Sequence, residues 1–355
     1  MRRLTLPLLG ATLCFPAWGW QVEKVAGGFA VPWGMSFVDN DTLLVTERNG
    51  GIKQLTLSTG AIRNLFEVEG VWARGQGGLL DIAVSPFDPG KVYVTYSKDV
   101  SGQGATTLAV ADYRDGNLTN WRDVLVSRST SDTGRHFGSR IAFDQSHVYF
   151  SIGDRGNRDN GQNTRTHAAA ILRLNPNGSI PQDNPFVKDP TILDEIWTYG
   201  HRNPQGLTYD IQTQQLWEIE HGPRGGDEIN RIQKGKNYGW PVTSHGKEYW
   251  GPLDVGDAKE KPGIEPPVKV YVPSIAPGSL ILYRGDKYPA LNGKLLSGSL
   301  KLTHINIVSL NDNFEAVGEE RILQELGERI RDIEVSPQGW IYFSTDRGNV
   351  YQLKP

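Results

Sequence analysis

Residues 78–97, GLLDIAVSPFDPGKVYVTYS, hold two apolar runs split by a turn at Pro86 to Gly90. Within each run apolar and polar side chains alternate with a period of two, the signature of a strand. The Pro, Asp and Gly between them are turn formers, so the segment reads as an antiparallel strand pair. The form recurs along the chain: WGMSFVDNDTLLVTER (33–48), SRIAFDQSHVYFSIGDR (139–155), QGLTYDIQTQQLWEIEHGP (205–223), GSLILYRGDKYPALNGKLLSGSLK (278–301) and RDIEVSPQGWIYFSTDR (331–347). Each pair is followed by more strand-like sequence, such as GGIKQLTL, TTLAVADY, AAILRLN, DEINRI, HINIVSL and NVYQL. Six copies give roughly 55 residues per unit, the size of a four-stranded propeller blade with generous loops.

These copies predict an all-β fold: one six-bladed β-propeller of four-stranded antiparallel blades. A β-sandwich does not repeat at this period. Helical periodicity is nearly absent, and the chain's 41 Gly and 21 Pro in 355 residues suit a turn-rich β protein. Residues 245–267, rich in Gly, Pro and charge, read as a long loop over one face. The first 19 residues, MRRLTLPLLGATLCFPAWG, pair two arginines with an apolar stretch ending in small residues. That is the pattern of a secretory signal, too short for a membrane anchor. Its removal takes the net charge from -3 to -5 and takes away Cys14, the one cysteine. Residues 20–355 are then a single cysteine-free domain, expected to be periplasmic or secreted without stable membrane insertion. The near-neutral charge and lack of a basic block speak against nucleic acid.

In a propeller the innermost strand of each blade lines a central channel, so residues entering that strand meet at one mouth. They form a ring of Gln76, His136, Arg202, Asn203, Arg329 and Arg331. The second strand runs back to the same mouth and adds Glu47-Arg48, Asp154-Arg155, Glu220-His221, Lys301 and Asp346-Arg347. Lys301, Arg329 and Arg331 offer cations suited to carboxylate or phosphate. His136 beside them is a candidate general base, since nearby positive charge disfavours its protonation. The plainer reading pairs these charges with Asp154, Glu220 and Asp346 as structural bridges. His147, His167, His245 and His304 read as ordinary surface or strand residues. No nucleotide-binding, P-loop, zinc-protease or serine-hydrolase signature is present.

At these residues the chain resembles the soluble PQQ-dependent aldose sugar dehydrogenases, over nearly all of its length. GQGGLLDIAVSP, HFGSRIAF, GHRNPQGL, EHGPRGGDEIN, KGKNYGWP, SIAPGS and RIRDI are similar to that family's motifs, in its order. The resemblance implies bound pyrroloquinoline quinone (PQQ) with Ca2+, and oxidation of an aldose at its anomeric carbon. It makes His136 the base and places Arg202 and Asn203 at the quinone oxygens, with Gln76 near substrate and cofactor. It puts Lys301, Arg329 and Arg331 on the cofactor's carboxylates. The carbonyls of Gly222 and Pro223 would hold calcium, and Glu228 with the carbonyl of Tyr238 a second ion. The sugar preference and the electron acceptor stay unassigned. The chain departs from the pattern at Arg135, where the glucose-dehydrogenase branch has Asp, at Ser139, where HFGGR is usual, and in SIAPGS, which shuffles a commoner APSG. These lie near the expected mouth and bear on sugar specificity. A calcium-dependent lactonase on the same fold leaves the cationic set unexplained. A non-catalytic binding propeller leaves His136 with Arg202 and Asn203 unexplained.

Overall fold

In the computed structural model, which describes residues 19–355, the six repeats are six four-stranded antiparallel sheets. The expected leader, with Cys14, lies outside the described residues except for Gly19. Blade one runs from Pro32–Phe37 to Ala61–Glu67, blade two from Leu79–Val84 to Asn117–Val126 and blade three from Ile141–Phe143 to Ile196–Tyr199. Blade four runs from Pro204–Asp210 to Lys269–Tyr271, and blade five from Ile281–Leu282 to Ala316–Ile322. Blade six takes Ile330–Val335, Ile341–Thr345 and Asn349–Lys354 from the end of the chain and Gln21–Gly27 from its beginning. That last pairing closes the ring and covers what would otherwise be an open sheet edge.

Burial grades outward across each blade. The innermost strand of blade one is buried throughout, whereas its outermost strand, Ala61–Glu67, is mostly exposed. The outermost strand of blade five carries Glu319, Glu320 and Arg321, charges that blunt an edge. Apolar cores lie between neighbours. Leu44 and Ile52 of blade one pack with Leu79, Ile82 and Val94 of blade two, and Ala26 and Val350 of blade six pack with Met35 and Leu43 of blade one. Each strand sheet therefore hides one face against the blade before it and the other against the blade after it. Regular helix among the described residues is limited to short 3-10 turns at Arg158–Gln162, Pro289–Leu291 and Gln324–Leu326. No helix among them is long and apolar enough to cross a membrane.

The channel is plugged at its middle by Arg140. Its guanidinium pairs with Asp81 of blade two at 2.8 Å and Asp332 of blade six at 3.0 Å. It also donates to the carbonyls of Gln205 in blade four (2.8 Å), Gly278 at the start of blade five (2.8 Å) and Arg331 in blade six (3.3 Å). The same group stacks 4.2 Å over the Trp33 ring of blade one. One side chain of blade three thus touches all the other blades. Close approach at the axis also explains Gly34, where a Cβ would stand 2.9 Å from the Asp81 Cα. The plug divides the channel into two cavities. One, about 330 Å³, is bordered by the far ends of the innermost strands, including Val84, Phe143 and Glu334. The other, about 270 Å³, lies at their starting ends.

Candidate active site at the strand-start mouth

His136 sits just before the innermost strand of blade three, with a left-handed backbone at φ 55°. Gly153 makes room for it, because a Cβ there would lie 2.4 Å from the His136 carbonyl oxygen. The His136 amide donates to Gln76 Oε1 at 2.8 Å. Its Nδ1 lies 2.6 Å from Asp154 Oδ1. Asp154 is itself fixed by the Trp240 indole N–H at 2.8 Å and the Gly156 amide at 2.7 Å. Burial pushes the Asp154 carboxyl up, but His136, Arg202 and the Gly156 amide outweigh it and hold it below the usual carboxylate range. An ionised Asp154 accepts a hydrogen bond from Nδ1–H and leaves Nε2 with the free lone pair of the ring. The His136 imidazole is itself shifted below its ordinary value, first by burial, against the pull of Asp154, with Arg202 and Arg135 adding to the lowering. Positive charge, the cause expected from the sequence, is thus secondary to desolvation.

Gln76, Asn203, His221, Arg48, Arg329 and Arg331 all border the 270 Å³ cavity, against Trp33, Phe137 and Leu80. Residues from blades one, two, four and six therefore converge, as strand alternation predicts. Asn203 Oδ1 accepts from the Gly138 amide at 3.2 Å, which ties the blade-four turn to the His136 segment. His221 Nε2–H donates to the Pro277 carbonyl at 2.6 Å. Burial pushes this imidazole down to about 3, with Arg202, His136 and Arg331 contributing to the same lowering. A single buried ring feels all three groups, so they share one electrostatic neighbourhood.

The arginine pair is bridged. Asp346 accepts from Arg329 Nε at 2.8 Å and from Arg331 Nε and Nη2 at 2.8 and 2.9 Å. Burial raises the Asp346 carboxyl, but the two arginines hold it below the usual range. The plainer structural reading was therefore right about this pairing, although two guanidinium groups against one carboxylate leave a net positive wall. Lys301 is exposed at the rim and does not border the cavity. Its neighbour Leu300 borders the cavity, and the Leu300 carbonyl accepts from Arg329 Nη1 at 3.1 Å, so blade five reaches this wall through its backbone.

Arg202 borders a second, narrower cleft together with Glu220, Gly222, Pro223, Glu228 and Tyr238. Its free volume is about 10 Å³, the room of roughly one water-sized sphere. Arg202 Nη1 donates to the Gly222 carbonyl at 2.7 Å, and its Nε is buried without a partner. The Pro223 carbonyl has only a long contact, 3.4 Å, to the Ser274 hydroxyl. Burial and the neighbouring Glu220 push the Glu228 carboxyl well above its usual value. The four residues expected to serve two separate ions thus line one cleft of ion size. The loop 245–267 reaches over it: Glu248 forms a two-point salt bridge with Arg158 at 2.7 and 2.8 Å, and the Tyr249 hydroxyl lies 3.5 Å from Arg202.

Other expectations need correction. Ser139 is fully buried, and its hydroxyl donates to the Phe137 carbonyl at 3.2 Å. It supports the turn from beneath and does not face the mouth, because its backbone φ of 96° directs the side chain inward. Arg135 is exposed and acts on His136 only through its charge. His167 and His304 are buried loop residues, not surface or strand ones. Trp240, the indole that holds Asp154, carried no assigned role in the sequence, although its motif KGKNYGWP was visible. The cue was a buried-type aromatic with one N–H donor, which needs a partner.

A family model described as glucose / sorbosone dehydrogenase matches residues 29–352. The chain is 36% identical over 343 residues to the aldose sugar dehydrogenase YliI of Escherichia coli strain K12, covering 94% of this chain and 92% of that one. The solved apo form of the soluble aldose sugar dehydrogenase from Escherichia coli superposes with a TM-score of 0.90 at 34% identity, over 95% of this chain and 99% of that one. The PQQ-bound form of an aldose sugar dehydrogenase from Streptomyces coelicolor superposes with a TM-score of 0.75 at 26% identity, over 96% and 99% of the two chains.

Proposed function

This chain belongs to the glucose/sorbosone dehydrogenase family, and from that premise we propose that it oxidises aldose sugars at the anomeric carbon to lactones. PQQ would be the acceptor held at this mouth, and the neighbouring oxygen-lined cleft would hold calcium. The observation that carries the reading is an oriented, neutral imidazole whose backbone is held by Gln76, a residue that borders the cation-walled cavity. A PQQ-bound relative of the same fold supports the cofactor. The residues present fit it. Arg329 and Arg331 would hold its carboxylates, Gln76 and Asn203 border the same space, and Arg202 stands in the adjoining cleft. The cleft of Gly222, Pro223, Glu228 and Tyr238 has oxygen donors and room suited to calcium. Bound there, the quinone would accept a hydride and the calcium would draw charge onto it.

The chain's own residues handle the proton. Asp154 holds the Nδ1–H tautomer, so His136 Nε2 is the atom that takes the proton from the sugar's anomeric hydroxyl. As that O–H bond breaks, the C1–H bond breaks with its electron pair leaving to the acceptor, and the C1–O double bond forms. A positioned base contributes a factor of about 10² to 10⁴. Arg202, stacked 5.2 Å over Trp240, is rigidly placed to stabilise developing negative charge. Residues 20–355 form the catalytic domain, exported to the periplasm behind the leader at 1–19.

Purified chain supplied with PQQ and calcium is expected to reduce an artificial dye when aldoses are added, with lactone as product. If the chain binds PQQ saturably yet no aldose in a broad panel supports dye reduction, this reading fails.

A further inference from the structure

Behind the turn that carries Arg202 and Asn203 lies a buried polar cluster that the mechanism does not use. Glu218 and Glu220 alternate along the second strand of blade four, Gln215–Glu220, and so share one face. Cross-strand register sets Asn230 opposite Glu218. His201, in the connection from blade three, closes the group, with Nδ1 3.6 Å from a Glu220 oxygen. One atom each from His201, Glu218 and Glu220 lies within 4.8 Å of the other two. His201 and Glu218 are completely buried, and Glu220 is 4% exposed.

Three polar atoms of this cluster have no hydrogen-bond partner: His201 Nδ1, Glu218 Oε1 and Asn230 Oδ1. Their neighbours are spoken for. Asn230 Nδ2 donates to Glu218 Oε2 at 2.9 Å, and His201 Nε2 pairs with the Thr198 hydroxyl at 2.9 Å. In the tautomer whose Nε2–H donates to Thr198, the His201 Nδ1 is a bare lone pair. All three orphans are then acceptors, buried together, and no protein donor reaches them. Among the described residues the one ion pair these carboxylates make is with His201 itself. Burying such groups without a donor or counter-charge is costly. A cation would satisfy the His201 nitrogen and the Glu218 oxygen at once.

We propose that His201 Nδ1, Glu218 and Glu220 bind one divalent ion of the zinc type. Imidazole nitrogen with carboxylate oxygens suits a borderline first-row ion, whereas calcium selects oxygen alone. Ligands at about 2.0–2.2 Å from zinc stand roughly 3.4 Å apart, so only a small contraction of the group is needed. The ion has a structural task. Glu220 Oε2 accepts the backbone amides of Arg202 and Asn203 at 2.5 and 3.0 Å, so fixing Glu220 fixes the turn that presents both side chains. The site shares Glu220 with the border of the oxygen-lined cleft of Gly222 and Pro223, but His201 and Glu218 lie outside that cleft, and the imidazole gives it a different chemistry.

The purified chain, stripped with a chelator, is incubated with Zn2+ in the presence of excess Ca2+, desalted and analysed for metal by mass spectrometry. One Zn2+ per chain is expected, with a raised thermal midpoint. His201→Phe keeps a ring against Tyr238, and Glu218→Gln keeps the shape. Each is expected to lower Zn2+ affinity by at least about tenfold, while Glu228→Gln retains the ion. Failure of the wild-type chain to keep zinc, its displacement by calcium, or equal retention by His201→Phe and Glu218→Gln would overturn the site. Should the variants not fold, anomalous diffraction from zinc-loaded wild-type crystals decides. A peak between His201 Nδ1 and Glu218 supports the site, and a peak elsewhere or none overturns it. None of these readings depends on sugar oxidation.

Discussion

Asp154 determines what His136 can do, because the 2.6 Å contact fixes which ring nitrogen carries the proton. Burial then keeps the ring neutral, so its folded-state value lies below the ordinary 6.5. A base is active only when deprotonated. As pH falls through that lowered value, kcat/KM of the loaded enzyme should drop, and the acid limb should lie below pH 6.5. A pH profile measured with a saturating dye checks this, and a limb above 6.5 would show that burial does not govern the ring. Much of this was legible in the sequence: Gln76, His136 and Asn203 all stand where an innermost strand begins. Ser139 was not, since its position near the mouth is set by sequence but its inward direction by a left-handed backbone angle. For Lys301, strand alternation places the backbone at the rim and leaves the direction of a long, exposed side chain open.

The innermost strand of blade six begins with Ile330–Val335 and delivers Arg331 to the cavity wall, half neutralised by Asp346. Lys301 stands outside that wall. Arg331→Ala is therefore expected to weaken PQQ binding by about ten- to a hundredfold, the worth of a charge-assisted hydrogen bond. Lys301→Ala should cost distinctly less. Fluorescence titration of the unloaded chain with PQQ separates the two, and a larger loss for Lys301→Ala would contradict the placement. Strand pairs and turns were plain in the sequence because period-two alternation is local. The closing strand, Gln21–Gly27, was not, since its partner Asn349–Lys354 lies at the other end of the chain. Residues LLDIAV and IRDIEV did hold a cue: each puts an Asp at the third position of an innermost strand, and two buried carboxylates on one axis call for a cation.

Arg140 is that cation, and it belongs to the whole molecule because its contacts come from every blade. Removing one partner of a buried ion pair leaves the others uncompensated, at a cost of about 3–5 kcal/mol. Arg140→Ala should lose that much in urea unfolding, and Arg140→Lys should not fully rescue it, since an ammonium lacks the planar fork. Equal stability of all three proteins would mean the hub contributes nothing. No local pattern reveals such a hub, because it exists only once six distant strands share an axis. The same convergence builds the proposed site, where the turn carrying His136 is tied to Gln76 of blade two and Gln76 shares a cavity with Arg331 of blade six. The most direct test compares wild-type protein with His136→Ala at equal PQQ occupancy, measuring aldose-dependent dye reduction per bound cofactor. A fall of about 10² or more, with PQQ affinity unchanged, is the predicted result. Equal turnover would contradict it.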